Sequence, residues 1–90
     1  MISHTSERFR RAFERLPKRV QQDTRTAYAL FLENPFHPRL HFKEVHATEP
    51  IFSARIRSGY RALGVRDRDT VVWFWIGSHD DYDRLLKSGI

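Results

Sequence analysis

Six successive apolar residues, Val71, Val72, Trp73, Phe74, Trp75 and Ile76, constrain the fold of this chain more than any other feature. β-branched and aromatic side chains favour extended backbone, and a strand without a polar side chain has to be covered on both faces. The run is therefore predicted as an inner strand, with Val71, Trp73 and Trp75 on one sheet face and Val72, Phe74 and Ile76 on the other. It falls far short of the ~20 apolar residues that cross a bilayer. The amino terminus shows no basic-then-apolar signal pattern, so the expectation is a cytoplasmic protein with no membrane role. Ninety residues allow a single domain, 1–90, whose core is modest because a chain of this length buries only roughly 60–65% of its unfolded surface. There is no cysteine, which excludes disulfides, thiolate nucleophiles and cysteine-based zinc sites and leaves stability to packing.

Elsewhere the apolar period identifies the elements. Phe9, Ala12, Phe13 and Leu16 recur at helical spacing after a polar lead in which Ser3, Thr5 and Ser6 are each able to cap. Pro17 suits the start of a second helix, whose stripe is Val20, Thr24, Ala27, Tyr28 and Phe31 and which Asn34-Pro35 ends. The two form a hairpin with Arg8, Arg10, Arg11, Arg15, Lys18, Arg19 and Arg25 on its solvated outer faces. From Leu40 the period becomes two: Leu40, Phe42 and Val45 mark a first strand, and Phe52, Ala54 and Ile56 alternate with polar residues in a second. Ser58-Gly59 turns the chain into a third strand over residues 60–65, and the Asp67-Arg68-Asp69 turn leads to the apolar run. Asp80, Asp81 and Asp83, followed by Tyr82, Leu85 and Leu86, suit a short last helix with acids near its amino end. The fold class expected is α+β: an amino-terminal helical hairpin packed on a twisted, mainly antiparallel four-stranded sheet, with a short carboxy-terminal helix.

Charge is distributed unevenly. The net charge is +5, and thirteen of the sixteen basic residues are Arg, whose planar fork matches phosphate. Residues 51–66 hold Arg55, Arg57, Arg61 and Arg66 and no acid. Alternation places Arg55 and Arg57 on the sheet face away from the hairpin, with Arg61 across the tight turn, so the three form a candidate cationic patch. His79 follows the inner strand at the sheet's end, where an imidazole is suited to proton transfer. His37, His41 and His46 have spacings of four and five residues that match no usual zinc pattern, and no phosphate-loop or dinucleotide fingerprint is present. Neither a metal nor a cofactor is expected.

Three segments, LFLENPFHPRLHFKEV, FSARIRSGYRALGV and VVWFWIGSHDDYDRLL, together resemble the RelE/ParE superfamily of bacterial toxin–antitoxin toxins. The likeness covers residues 7–86. It implies a small toxin with a twisted antiparallel sheet, held inactive in a hetero-oligomer by a cognate antitoxin segment wrapped across it. The superfamily implies two activities, cleavage of mRNA on the ribosome by RelE-like members and poisoning of DNA gyrase by ParE-like members; an inactive protein-binding relative is a third possibility. Many members begin with a strand before the first helix, which this amino terminus is too short and polar to supply.

Carried over by aligned sequence, Arg61 matches the arginine at the scissile phosphate, and His79 matches the general-acid histidine of the YafQ- and YoeB-like branches. Arg55 matches a recurrent basic position. The resemblance points to His79, Arg61 and Arg55 as catalytic residues; location, and not the resemblance, adds His46 to that set and Lys43 and Arg57 to Tyr60 and Tyr82 as RNA-binding residues, with His46 or Glu44 as the base. A lysine pair found in RelE itself is absent. The chemistry implied is attack by a 2′-hydroxyl on its own phosphate, which needs a base, cations against the developing charge and an acid at the leaving oxygen.

Overall fold

A computed structural model describes residues 1–57 and 59–89 of the chain. In chain order the elements are β1 (Ile2–Thr5), α1 (Glu7–Glu14), α2 (Lys18–Glu33), a 3-10 turn (Pro38–Leu40), β2 (Lys43–Glu44), β3 (Ile51–Ile56), β4 (Tyr60–Asp67), β5 (Thr70–Ser78) and α3 (His79–Lys87). The strands form one sheet in the order β1-β5-β4-β3-β2, with β1 parallel to β5 and the remaining pairs antiparallel. The α+β class and the helical hairpin agree with the sequence reading. The strand count is five rather than four, and the amino terminus does supply the first strand. None of the described helices is long and apolar enough to cross a membrane.

β1 escaped detection because its residues are polar for a reason that lies far away in sequence. Ser3 Oγ accepts the indole N–H of Trp73 at 3.0 Å and lies 2.9 Å from the Tyr28 hydroxyl. Trp73 is 3% exposed, and a buried indole N–H needs an acceptor. One serine thus ties β1, α2 and β5 together. Ser6, next along, caps α1 by accepting the Phe9 N–H at 3.1 Å, and α2 begins directly after Pro17.

Pairing of β4 with β5 shifts register between Leu63 and Gly64: Leu63 faces Trp75, but Gly64 faces Trp73. Phe74 is the additional residue, and such a bulge breaks strict alternation. The face assignment expected from a period of two is therefore corrected. Val71, Trp73 and Ile76 pack with Phe9, Phe31, Ala54 and Ala62 beneath the hairpin. Phe74 and Trp75 pack on the other side with Ile51, Leu63, Tyr82, Leu85 and Leu86, where α3 covers part of the sheet. The face expected to be polar thus carries its own apolar cluster.

The first strand predicted from Leu40, Phe42 and Val45 shrinks to Lys43–Glu44. Leu40 closes the 3-10 turn and is 2% exposed, and Phe42 packs edge-on against Phe31 with centroids 5.1 Å apart. Anchoring these side chains in the core draws the backbone away from the sheet until residue 43. Of the Ser58-Gly59 turn, Ser58 lies outside the described residues, while Gly59 has φ +82°, a conformation that glycine adopts without a Cβ penalty.

Two stability tests follow from these contacts. Ser3→Ala strands the Trp73 N–H and the Tyr28 hydroxyl and is expected to cost about 1–3 kcal/mol in urea unfolding; a change within experimental error would remove β1 from the account. A Cβ on Gly64 would lie 2.7 Å from Val71 Cγ1 and 2.9 Å from Trp73 Cε3. Gly64→Ala is therefore expected to lower stability by about 1–3 kcal/mol through overpacking, and a neutral result would contradict the placement of the Trp73 ring over this glycine.

Candidate functional site

The site lies where the β3–β4 turn meets the start of α3. Register places Arg55 directly opposite Arg61, and Arg61 opposite Gly77 on β5. Directly opposed residues on antiparallel strands share a face, with Cβ atoms roughly 4.5–5.5 Å apart, and like charges there repel. The ion pairs among the described residues join Arg11 to Glu7, His79 to Asp83 and Arg84 to Asp81, so neither Arg55 nor Arg61 has a carboxylate partner within that set. Two arginines opposed in register, without a carboxylate partner among the described residues, create a position that favours an anion.

His79 is held beside this pair by its backbone. It is the first residue of α3, capped by Ser78, whose Oγ accepts the Asp81 N–H at 3.1 Å. The His79 N–H donates to the Gly59 carbonyl at 2.7 Å, which fastens the start of the helix to the β3–β4 turn. Its Nδ1 lies 3.2 Å from Asp83 Oδ2, one helical turn on. A carboxylate on Nδ1 orients the ring and leaves Nε2 to face outward. Asp80 and Asp81 lie in the first turn of α3, where the helix dipole favours acids.

Tyr82 links the two groups. Its ring centroid is 6.0 Å from the Arg61 guanidinium carbon and 5.7 Å from the His79 ring. The tyrosine is 7% exposed, so it forms a support under Arg61 and His79 rather than a surface on which a base can stack. Arg61 Nη1 also donates to the Tyr60 carbonyl at 3.1 Å, which limits the reach of its side chain. Beside them lies Trp75, which a strict period of two does not separate from the core. A Cβ on Gly77 would come within 2.6 Å of Trp75 Cζ2, so the indole lies over this glycine, next to Arg61 in register. The signal available was Gly77 itself, two residues after a tryptophan on a strand.

The remaining residues singled out from the sequence are dispersed. Lys43 pairs with Ser53 and so shares the face of Arg55 and Arg61 by register. Arg57 is exposed beyond the end of β3. Tyr60 packs against the hairpin-side core, on the opposite face from Arg61. His46 lies past β2, where its Nδ1 accepts the backbone N–H groups of Thr48 and Glu49 at 3.2 and 3.0 Å. With Nδ1 so occupied, a neutral His46 carries its proton on Nε2 and offers no free lone pair in this conformation. Glu44 pairs with Phe52, placing it on the face opposite Lys43. Among the described residues no group of three His, Asp or Glu side chains is arranged to hold a metal ion.

The family model for the ParE-like toxin domain matches residues 18–84, well over half of the chain. Among solved structures, the chain is similar to the RelB-RelE antitoxin-toxin complex from Methanococcus jannaschii, with a TM-score of 0.72 and 12% identity over 90% of this chain and 96% of that one. It is also similar to the toxin-antitoxin complex RelBE2 from Mycobacterium tuberculosis, with a TM-score of 0.67 and 26% identity over 86% of this chain and 95% of that one. The isolated E. coli RelE toxin matches at a TM-score of 0.66 and 17% identity, over 99% of this chain and 98% of that one. No curated protein sequence matches the chain. The fold is similar to that of these structures, and the matched domain shows that the chain belongs to the ParE-like toxin domain family, within the RelE/ParE superfamily of toxins.

Proposed function

We propose that this toxin is an mRNA endonuclease acting on translated RNA in the cytoplasm, and the observation that carries the proposal is the Arg55–Arg61 couple, opposed in register beside His79 and without a carboxylate partner among the described residues. In this reading the two guanidiniums hold the scissile phosphate and stabilise the charge that grows on it as the neighbouring 2′-hydroxyl attacks. The phosphorus–5′-oxygen bond breaks, and protonated His79, oriented by Asp83, gives its Nε2 proton to the departing oxygen. The products are a 2′,3′-cyclic phosphate and a 5′-hydroxyl. Lys43 draws in the strand from the neighbouring edge, as a point charge on a flexible stem. The attacking hydroxyl releases its proton to solvent, because the His46 Nδ1 is engaged in its own turn and Glu44 lies on the other face. Tyr82 acts through Arg61 and His79 by holding both, and no metal or cofactor enters the reaction.

The structures from M. jannaschii and M. tuberculosis are antitoxin–toxin complexes, which supports a cognate antitoxin as partner here. A segment of such a partner lying over Arg55 and Arg61 would neutralise the couple and block the phosphate position. A second reading, inhibition of DNA gyrase in the manner of ParE, is favoured by one observation, the ParE-like description of the matching domain. That reading has no use for a proton donor at position 79.

His79→Ala separates the two. In a reconstituted translation assay the substitution is expected to slow mRNA cleavage by about 10²–10⁴-fold, the usual worth of a positioned acid, while RNA affinity is retained. Unchanged cleavage would overturn the role of His79. Wild-type protein that leaves mRNA whole and blocks gyrase supercoiling would overturn the nuclease reading altogether.

A further inference from the structure

A groove of about 430 Å³ runs between α2, the 3-10 turn and β3, lined by Asp23, Thr26, Leu30, Arg39, Arg55 and Arg57 among others. It exists because β2 pairs with β3 only at Phe52 and Ser53, which leaves the rest of that edge uncovered as far as Arg57. Three of its lining residues are arginines, and none has a carboxylate within 4.0 Å among the described residues. The one acid on the wall, Asp23, forms no ion pair with them among the described residues, and its Oδ2 is shut off from water and accepts no hydrogen bond there.

Arg39 is presented to this groove by a rigid device. In the Asn34-Pro35-Phe36-His37-Pro38-Arg39 segment, Asn34 Oδ1 accepts the Phe36 N–H and His37 Nδ1 accepts the Arg39 N–H, both at 3.1 Å. The Leu40 N–H donates to the His37 carbonyl at 3.0 Å, and the Leu40 side chain is buried in the core. Two prolines and a buried leucine therefore fix the backbone on both sides of a side chain that itself stays exposed. The nuclease chemistry uses none of this machinery.

We propose that the groove is a track for the sugar–phosphate backbone of single-stranded RNA, with Arg39 and Arg57 each holding a phosphate that flanks the one at Arg61. This rests on the nuclease reading. Arg55 belongs to both places: it is opposed to Arg61 in register and also lines the groove. A strand whose scissile phosphate lies at Arg61 and Arg55 is continuous, over the uncovered β3 edge, with Arg57 and Arg39. Guanidinium forks bind phosphate oxygens bidentately, and RNA places a hydroxyl donor beside each phosphate, the group that Asp23, an acceptor, lacks. An acidic peptide would bring further carboxylates towards Asp23 instead.

The test is the salt dependence of binding, measured with the full chain carrying His79→Ala, which slows cleavage, and a fluorescent 12-nucleotide RNA that keeps its 2′-hydroxyls. Each phosphate contact on a single strand contributes about 0.7 to the slope of log K against log salt. Arg39→Ala and Arg57→Ala are each expected to reduce the slope by about that amount, Arg39→Lys to restore it, and Arg19→Ala, on the outer face of α2, to leave it unchanged. If Arg39→Ala behaves as Arg19→Ala does, the track is overturned even where wild-type protein cleaves mRNA. If the slopes change as expected but wild-type protein cuts no mRNA, the track stands and the nuclease reading fails. Displacement of the RNA by an oligoglutamate of equal charge at equal concentration would mark the groove as a peptide site and overturn the proposal.

Discussion

Both faces of the sheet depend on one irregularity in the pairing of β4 with β5. Strict alternation along residues 71–76 would send both tryptophans to the same side, where two indoles would compete for the space beneath the hairpin. The bulge opposite Leu63 and Gly64 sends Trp73 inward and Trp75 outward. Each ring then needs a residue without a side chain in its path, Gly64 for the first and Gly77 for the second. The hairpin-side core closes around Trp73, through edge-on contact with Phe31 at 5.2 Å and through Ser3 on β1. The other face acquires a cluster large enough to seat α3, and seating α3 brings His79 to the turn where Arg55 and Arg61 lie.

The charge of the molecule takes on meaning in the same way. Six of its thirteen arginines are spread over the solvated faces of the hairpin, where they give a diffuse field that salt screens. At the β3–β4 end the strand register opposes two arginines, and no carboxylate among the described residues pairs with them. A protein of this size has little stability to spare, so an opposed like-charged pair is a cost that binding an anion would offset. The groove with Arg39 and Arg57 extends that unrelieved charge around the edge of β3.

Much of this was legible in the sequence, and the parts that were not share a cause. The inner strand, both hairpin helices, the last helix and the α+β class follow from local periodicity, because the signal and the structure occupy the same residues. β1 was invisible because it pairs in parallel with a strand nearly seventy residues away, and its polar Ser3 answers an indole that only the fold brings near. The tryptophan faces are not legible because a bulge leaves no local mark beyond a glycine on the neighbouring strand. At the site, Arg55, Arg61 and His79 were legible as a group through the resemblance and through alternation. Tyr82 as a buried support, Tyr60 on the opposite face and the His46 turn depend on contacts that no spacing reveals. Arg39 is not legible because the reason for it, an uncovered strand edge, is a property of how short β2 is.

The chemistry of the cut ends tests the account most directly, because it reports the mechanism and not only the activity. Attack by the 2′-hydroxyl with protonation of the leaving oxygen at His79 predicts mRNA fragments that carry a 2′,3′-cyclic phosphate upstream and a 5′-hydroxyl downstream, the latter labelled by polynucleotide kinase without prior phosphatase treatment. Fragments with a 5′-phosphate and a 3′-hydroxyl would contradict it, since attack by water would then have replaced the 2′-hydroxyl and the Arg55, Arg61 and His79 arrangement would have no place in the reaction as described.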